Sequence, residues 1–88
     1  MKEITVKITE KERDLILEHT FAGNDLTKQI EAAELRGKYL LFKYTIEDLD
    51  ELVGYLAAES NHTEDLKLQK QLDKLFEKLS RIIEKYSV

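Results

Sequence analysis

The chain contains no cysteine, no proline and no tryptophan, and only three of its 88 residues are glycine. Without cysteine there is no disulfide framework, no thiolate metal site and no thiol nucleophile. Without proline no linker announces a second domain, so a single domain over residues 1–88 is expected. A chain of that length can build one core, but with a thin stability margin. Long apolar runs are missing as well. The best candidate, Tyr39-Leu40-Leu41-Phe42, is far short of a signal-peptide core or of the roughly 20 residues that cross a membrane. A cytoplasmic location is the expectation that follows. Nor is there a basic excess: the formal charge of −4 disfavours a dedicated nucleic-acid binder, whose phosphate contacts need a basic surface.

Charge of both signs is abundant. Charged residues make up 36% and apolar residues 42% of the chain, as in a folded, heavily charged and helix-rich domain. Ile4, Val6 and Ile8 alternate with Thr5 and Lys7, which predicts a half-buried strand over about 3–8. Thr9 with Glu12 forms a capping box that opens a helix from Glu10 to about Thr20, closed at Gly23-Asn24. Leu26, Ile30 and Ala33 suggest a second, weaker helix that Gly37 ends; alternatively Glu34-Leu35 pairs back across Arg36-Gly37 as a hairpin.

Residues 38–45 read as a second strand with two partly apolar faces. Leu40, Phe42 and Tyr44 lie on one; Tyr39, Leu41 and Lys43 lie on the other. Such a strand is either covered on both sides or offers one side to a partner. Thr45 and Asp48 cap a helix over about 46–60, whose Ile46, Leu49, Leu52, Val53 and Leu56 repeat at three-and-four spacing. Asn61-His62 is expected to break it, and Thr63 to cap a last helix over about 64–86, about two turns longer than its predecessor. The fold class expected is therefore helix-dominated α+β: two short strands packed with a C-terminal antiparallel helical hairpin.

Four constellations bear on function. Leu68, Leu72, Leu75, Leu79, Ile82 and Tyr86 follow a heptad-like spacing, flanked by Phe76 and Ile83. The stripe is wider than a two-stranded seam requires, which favours a globular core with an overhanging end. Second, Lys67, Lys70, Lys74, Lys78, Arg81 and Lys85 fall within roughly 80° of helix circumference, a stripe suited to phosphates or an acidic partner. Against that use, an i,i+4 pair such as Glu77 with Arg81 neutralises part of the stripe. Glu47, Asp48 and Glu51 are also expected to approach Lys78, Arg81 and Lys85 across the hairpin.

Third, Glu59-x-x-His62 with Asp65 offers carboxylate and imidazole metal ligands, although a full dimetal site needs a second such pair and the chain has two histidines. Fourth, His19 closes the first helix, where an imidazolium suits the negative dipole end. No nucleophile elbow and no phosphate-cradling glycine loop accompanies any of these. The expectation is a non-enzymatic module without cofactor, acting as a homodimer or binding another protein. Its candidate interface is Tyr39, Leu41, Lys43, Ile83 and Tyr86. Nucleic-acid binding along the basic stripe and a metal site at Glu59, His62 and Asp65 are the alternatives.

Overall fold

Alternating apolar residues do build the first strand. In the computed structural model, which describes residues 2–20 and 24–86, β1 spans Glu3–Thr9 and buries Ile4, Val6 and Ile8 on one face. Helix α1 (Glu10–His19) follows directly. Glu12 N–H donates to Thr9 Oγ1 at 3.1 Å, and Thr9 N–H donates to the Glu12 carboxylate at 2.8 Å, so the capping box is complete. The helix ends on Thr20, whose N–H and hydroxyl both donate to the Ile16 carbonyl. The glycine terminus expected at Gly23 lies outside the described residues.

Both readings of the next segment are realised, in succession. Helix α2 (Asn24–Glu31) buries Leu26 and Ile30. The chain then extends into a three-residue strand β2 (Glu34–Arg36), which pairs antiparallel with β3 (Tyr39–Thr45). The connection is only Gly37-Lys38, and Gly37 takes φ of 62°, the left-handed conformation that a two-residue hairpin turn demands. The sheet thus has three strands rather than two, in the order β1-β3-β2, with both pairings antiparallel.

The hairpin of helices α3 (Ile46–His62) and α4 (Leu66–Tyr86) completes the fold. Thr45 and Asp48 cap α3 reciprocally, as expected. Three boundary details differ from expectation. Asn61 and His62 remain helical, so the reversal falls at residues 63–65. The cap of α4 is Asp65, not Thr63: its carboxylate accepts from the N–H groups of Lys67 (3.0 Å) and Leu68 (3.3 Å). Thr63 instead accepts from Asp65 N–H, a local turn that delays the helix by two residues. With 21 residues against 17, α4 exceeds α3 by about one turn rather than two.

All four helices contribute to one core, lined on its other side by a single face of the sheet. Ile4, Val6, Ile8, Leu40, Phe42 and Tyr44 form that face. Ile16 meets them from α1, Leu26 and Ile30 from α2, Leu49, Leu52 and Leu56 from α3, and Leu72, Leu75 and Leu79 from α4. The architecture is two-layer, helix-dominated α+β. Among the described residues no helix is long and apolar enough to cross a membrane.

Polar ties also cross this assembly. The Tyr44 hydroxyl donates to the Leu26 carbonyl at 2.5 Å, fixing α2 to the central strand. Burial pushes its phenol well above the ordinary value of 10.0, and the nearby charges of Asp48 and Glu51 add to the shift. Between α3 and α4, the hydroxyl of the buried Ser60 donates to the Asp73 carboxylate at 2.5 Å.

Candidate interaction surface

The pleat sends every second strand residue away from the helices. On the far face of β3 stand Tyr39, Leu41, Lys43 and Thr45. Their cross-strand partners on β1 are Thr9, Lys7, Thr5 and Glu3, and on β2 Arg36 opposes Tyr39 while Glu34 opposes Leu41. Among the described residues no helix covers this face. Tyr39 is 36% exposed, Leu41 half-buried, and Glu3, Thr5, Lys7, Lys43, Glu34 and Arg36 are exposed.

Charge and ring are already organised there. The Lys7 ammonium rests 4.4 Å from the Tyr39 ring centroid, close enough for a cation–π contact. Arg36 Nε lies 3.3 Å from Glu34 Oε1, an exposed pair that flanks Tyr39 and Leu41 along β2. Beyond the end of β2, a shallow cleft of about 250 Å³ opens between Thr5, Glu34, Arg36, Leu41, Phe42 and Lys43. An aromatic and a leucine are thus ringed by charges of both signs on this face.

The five interface residues expected from the sequence do not form one patch. Tyr39, Leu41 and Lys43 share the open sheet face. Ile83 packs against the core from the helical layer, and Tyr86, 46% exposed, ends α4 on that same layer. At the opposite end of α4, Leu66 is 72% exposed, a feature that helical spacing did not mark. Residues 84–86 at the end of α4 are all exposed, whereas Ile82 and Ile83 pack against the core.

The basic stripe is present but partly committed. Lys67, Lys70, Lys74, Arg81 and Lys85 are exposed on α4. Lys78 is not free: its ammonium lies 2.6 Å from the Glu12 carboxylate that also completes the α1 capping box. The expected approach of Glu47, Asp48 and Glu51 to Lys78, Arg81 and Lys85 is not seen, nor is a Glu77–Arg81 pair. Among the described residues, ion pairs within 4.0 Å join Arg13 to Asp14, His19 to Glu18, Arg36 to Glu34 and Lys78 to Glu12. For Lys78 the reason is the placement of α1, whose first turn brings Glu12 to it. Near the other end of the helix, Lys85 lies 5.7 Å from the centroid of the Tyr86 ring.

Glu59 and His62 share α3, three residues apart, because the helix continues through His62. Asp65 does not join them, since its carboxylate is spent on the α4 cap. Among the described residues no three His, Cys, Asp or Glu side chains group as metal ligands. His19 ends α1 with Nε2 3.9 Å from Glu18.

Comparison with protein-family models, with curated proteins and with solved structures finds no match to this chain.

Proposed function

We propose that this chain is a non-enzymatic protein–protein interaction module, self-associating or docking on another protein, and that its contact surface is the uncovered side of the sheet. One observation carries this role: the four helices of the described residues pack on the same face, leaving Tyr39 exposed and Leu41 only half-buried on the central strand. The open face of an antiparallel sheet is ordinarily polar, and an aromatic beside a leucine there is an apolar patch of the kind that contact surfaces use. The rim of Lys7, Lys43, Arg36 and Glu34 supplies polar groups for orientation. A cytoplasmic setting suits a chain without cysteine.

The test is the double variant Tyr39→Ser with Leu41→Ser. Both side chains lie outside the core, so the variant folds with unchanged far-ultraviolet dichroism. It is expected to lose any contact that the wild type makes through this face, read as a defined protein retained on the immobilised chain or as an assembly that buries Tyr39 and Leu41. A wild type that is monomeric at millimolar concentration and retains nothing the variant does not also retain contradicts the role.

A further inference from the structure

The backbone of the sheet points to a more specific contact. Gly37-Lys38 is a two-residue turn, so Arg36 and Tyr39 close the hairpin and exchange both of their backbone hydrogen bonds. Tyr39 and Leu41 therefore turn their N–H and C=O groups toward β2. By alternation, Leu40, Phe42 and Tyr44 turn theirs toward β1, where they face Ile8, Val6 and Ile4. The two capping boxes agree with this parity. Thr9 N–H and Thr45 N–H sit on the other parity, and each donates to a capping carboxylate rather than across the sheet.

It follows that Glu3, Thr5 and Lys7 aim their N–H and C=O groups away from β3, at the outer edge of the sheet, where β1 is the terminal strand. All three are exposed. At Thr9 the capping carboxylate of Glu12 takes the next edge N–H, so the free row stops at Lys7.

We infer that a second copy of this chain occupies that edge, β1 pairing antiparallel with the partner's β1 about a two-fold axis through Thr5. The inference rests on the interaction role proposed above and specifies the partner. In this register Glu3 stands opposite the partner's Lys7, Thr5 opposite the partner's Thr5, and Lys7 opposite the partner's Glu3. These are the three residues whose backbone groups face outward, so the ladder uses every free group of the row. Opposite charges in such positions attract, and like charges repel. On the core side, Ile4 meets the partner's Val6, which continues the apolar face across the axis.

Moving the axis by one residue, to Ile4 or Val6, sets Glu3 against the partner's Thr5 or Thr9 and removes both ion pairs. Charge thus selects a single register. An edge lysine by itself is a common guard against strand addition; with Glu3 four residues away on the same face, β1 becomes complementary to itself. The result is a continuous six-stranded sheet, and the two open faces around Tyr39 and Leu41 lie side by side on it. In the single chain the Lys7 ammonium leans over Tyr39, so pairing requires it to swing toward the edge.

Charge exchange in sedimentation experiments on the full chain tests the inference. Glu3→Lys alone and Lys7→Glu alone each set two like-charge pairs across the axis, and each is expected to weaken dimerisation by about tenfold. The double exchange Glu3→Lys with Lys7→Glu restores opposite charges and wild-type affinity. Mixing the two single variants produces heterodimers in preference to either homodimer. All variants should keep the wild-type melting temperature in the dilute state, which separates lost pairing from lost folding. A dimer indifferent to these exchanges overturns the β1 contact while leaving an interaction module that uses another patch. A wild type that stays monomeric, yet captures a different protein through Tyr39 and Leu41, overturns the second copy as partner and again leaves the broader role intact.

Discussion

The two faces of one strand, β3, differ more than any two regions of this molecule. Leu40, Phe42 and Tyr44 are buried under four helices, while Tyr39, Leu41 and Lys43, one residue away in each case, meet solvent or lie half-covered. Both rows are partly apolar, so composition alone does not tell them apart. What separates them is connectivity. Every helix returns to the side that Ile4, Val6 and Ile8 have made apolar on β1, whose opposite side carries Glu3, Thr5 and Lys7. The edge strand decides which face of the central strand becomes core.

The sharpest way to break that contrast is to truncate neighbouring residues. Phe42→Ala removes a ring packed edge-to-face on Tyr44, with centroids 4.8 Å apart. It should cost about 3–5 kcal/mol in urea unfolding, a large share of the stability of so small a domain. Leu41→Ala, the next residue on the open face, should cost less than about 1 kcal/mol. Equal losses would mean that the open face is covered after all.

Tyr44→Phe sharpens the same contrast at a single atom. Losing the hydroxyl that holds the Leu26 carbonyl should cost about 1 kcal/mol at neutral pH. The folded chain keeps this phenol protonated well above its ordinary value of 10.0, whereas the unfolded chain releases the proton there. The stabilising contribution is therefore complete below pH 10.0 and declines as pH rises beyond it. The difference in stability between wild type and Tyr44→Phe should shrink on the alkaline side, by up to about 1.4 kcal/mol per pH unit. A difference that stays constant through that range argues that Tyr44 is not sequestered.

The smallest effect is expected in the outer surface of the helical layer. Gly54 lies exposed in the middle of α3, and a methyl group added there meets no atom within 4 Å. Gly54→Ala should raise stability by up to about 1 kcal/mol, read as a higher melting temperature, because alanine forms helix more readily. No gain would indicate that something packs on that surface in solution.

What could be read in advance was mostly local. The Thr9–Glu12 and Thr45–Asp48 boxes span three residues each, and the three-and-four spacing of Leu49, Leu52, Leu56, Leu72, Leu75 and Leu79 needs only a helix to become a buried face. The failures came where a local rule had two solutions, or where a partner lay far along the chain. Thr63 and Asp65 are both good caps, and only the realised turn shows that the aspartate wins. All three residues of β2 are exposed, so no alternation marks it, and the strand is recognisable mainly through Gly37 and its pairing. Lys78 finds Glu12 across 66 residues and Ser60 finds Asp73 across 13, contacts that periodicity on one helix does not contain. For the candidate surface, Tyr39, Leu41 and Lys43 were legible from period-two alternation. The free edge at Glu3, Thr5 and Lys7 was not, because it depends on which parity β3 offers to β1.

Amide hydrogen exchange along β1, followed residue by residue at low and at high protein concentration, measures that parity and the use of the open edge together. Ile4, Val6 and Ile8 should be protected at both concentrations, while Glu3, Thr5 and Lys7 exchange freely when dilute and slow markedly when concentrated. Protection of Glu3, Thr5 and Lys7 at every dilution would show the edge already closed within one chain. Free exchange at every concentration would show that nothing of its own kind ever pairs there.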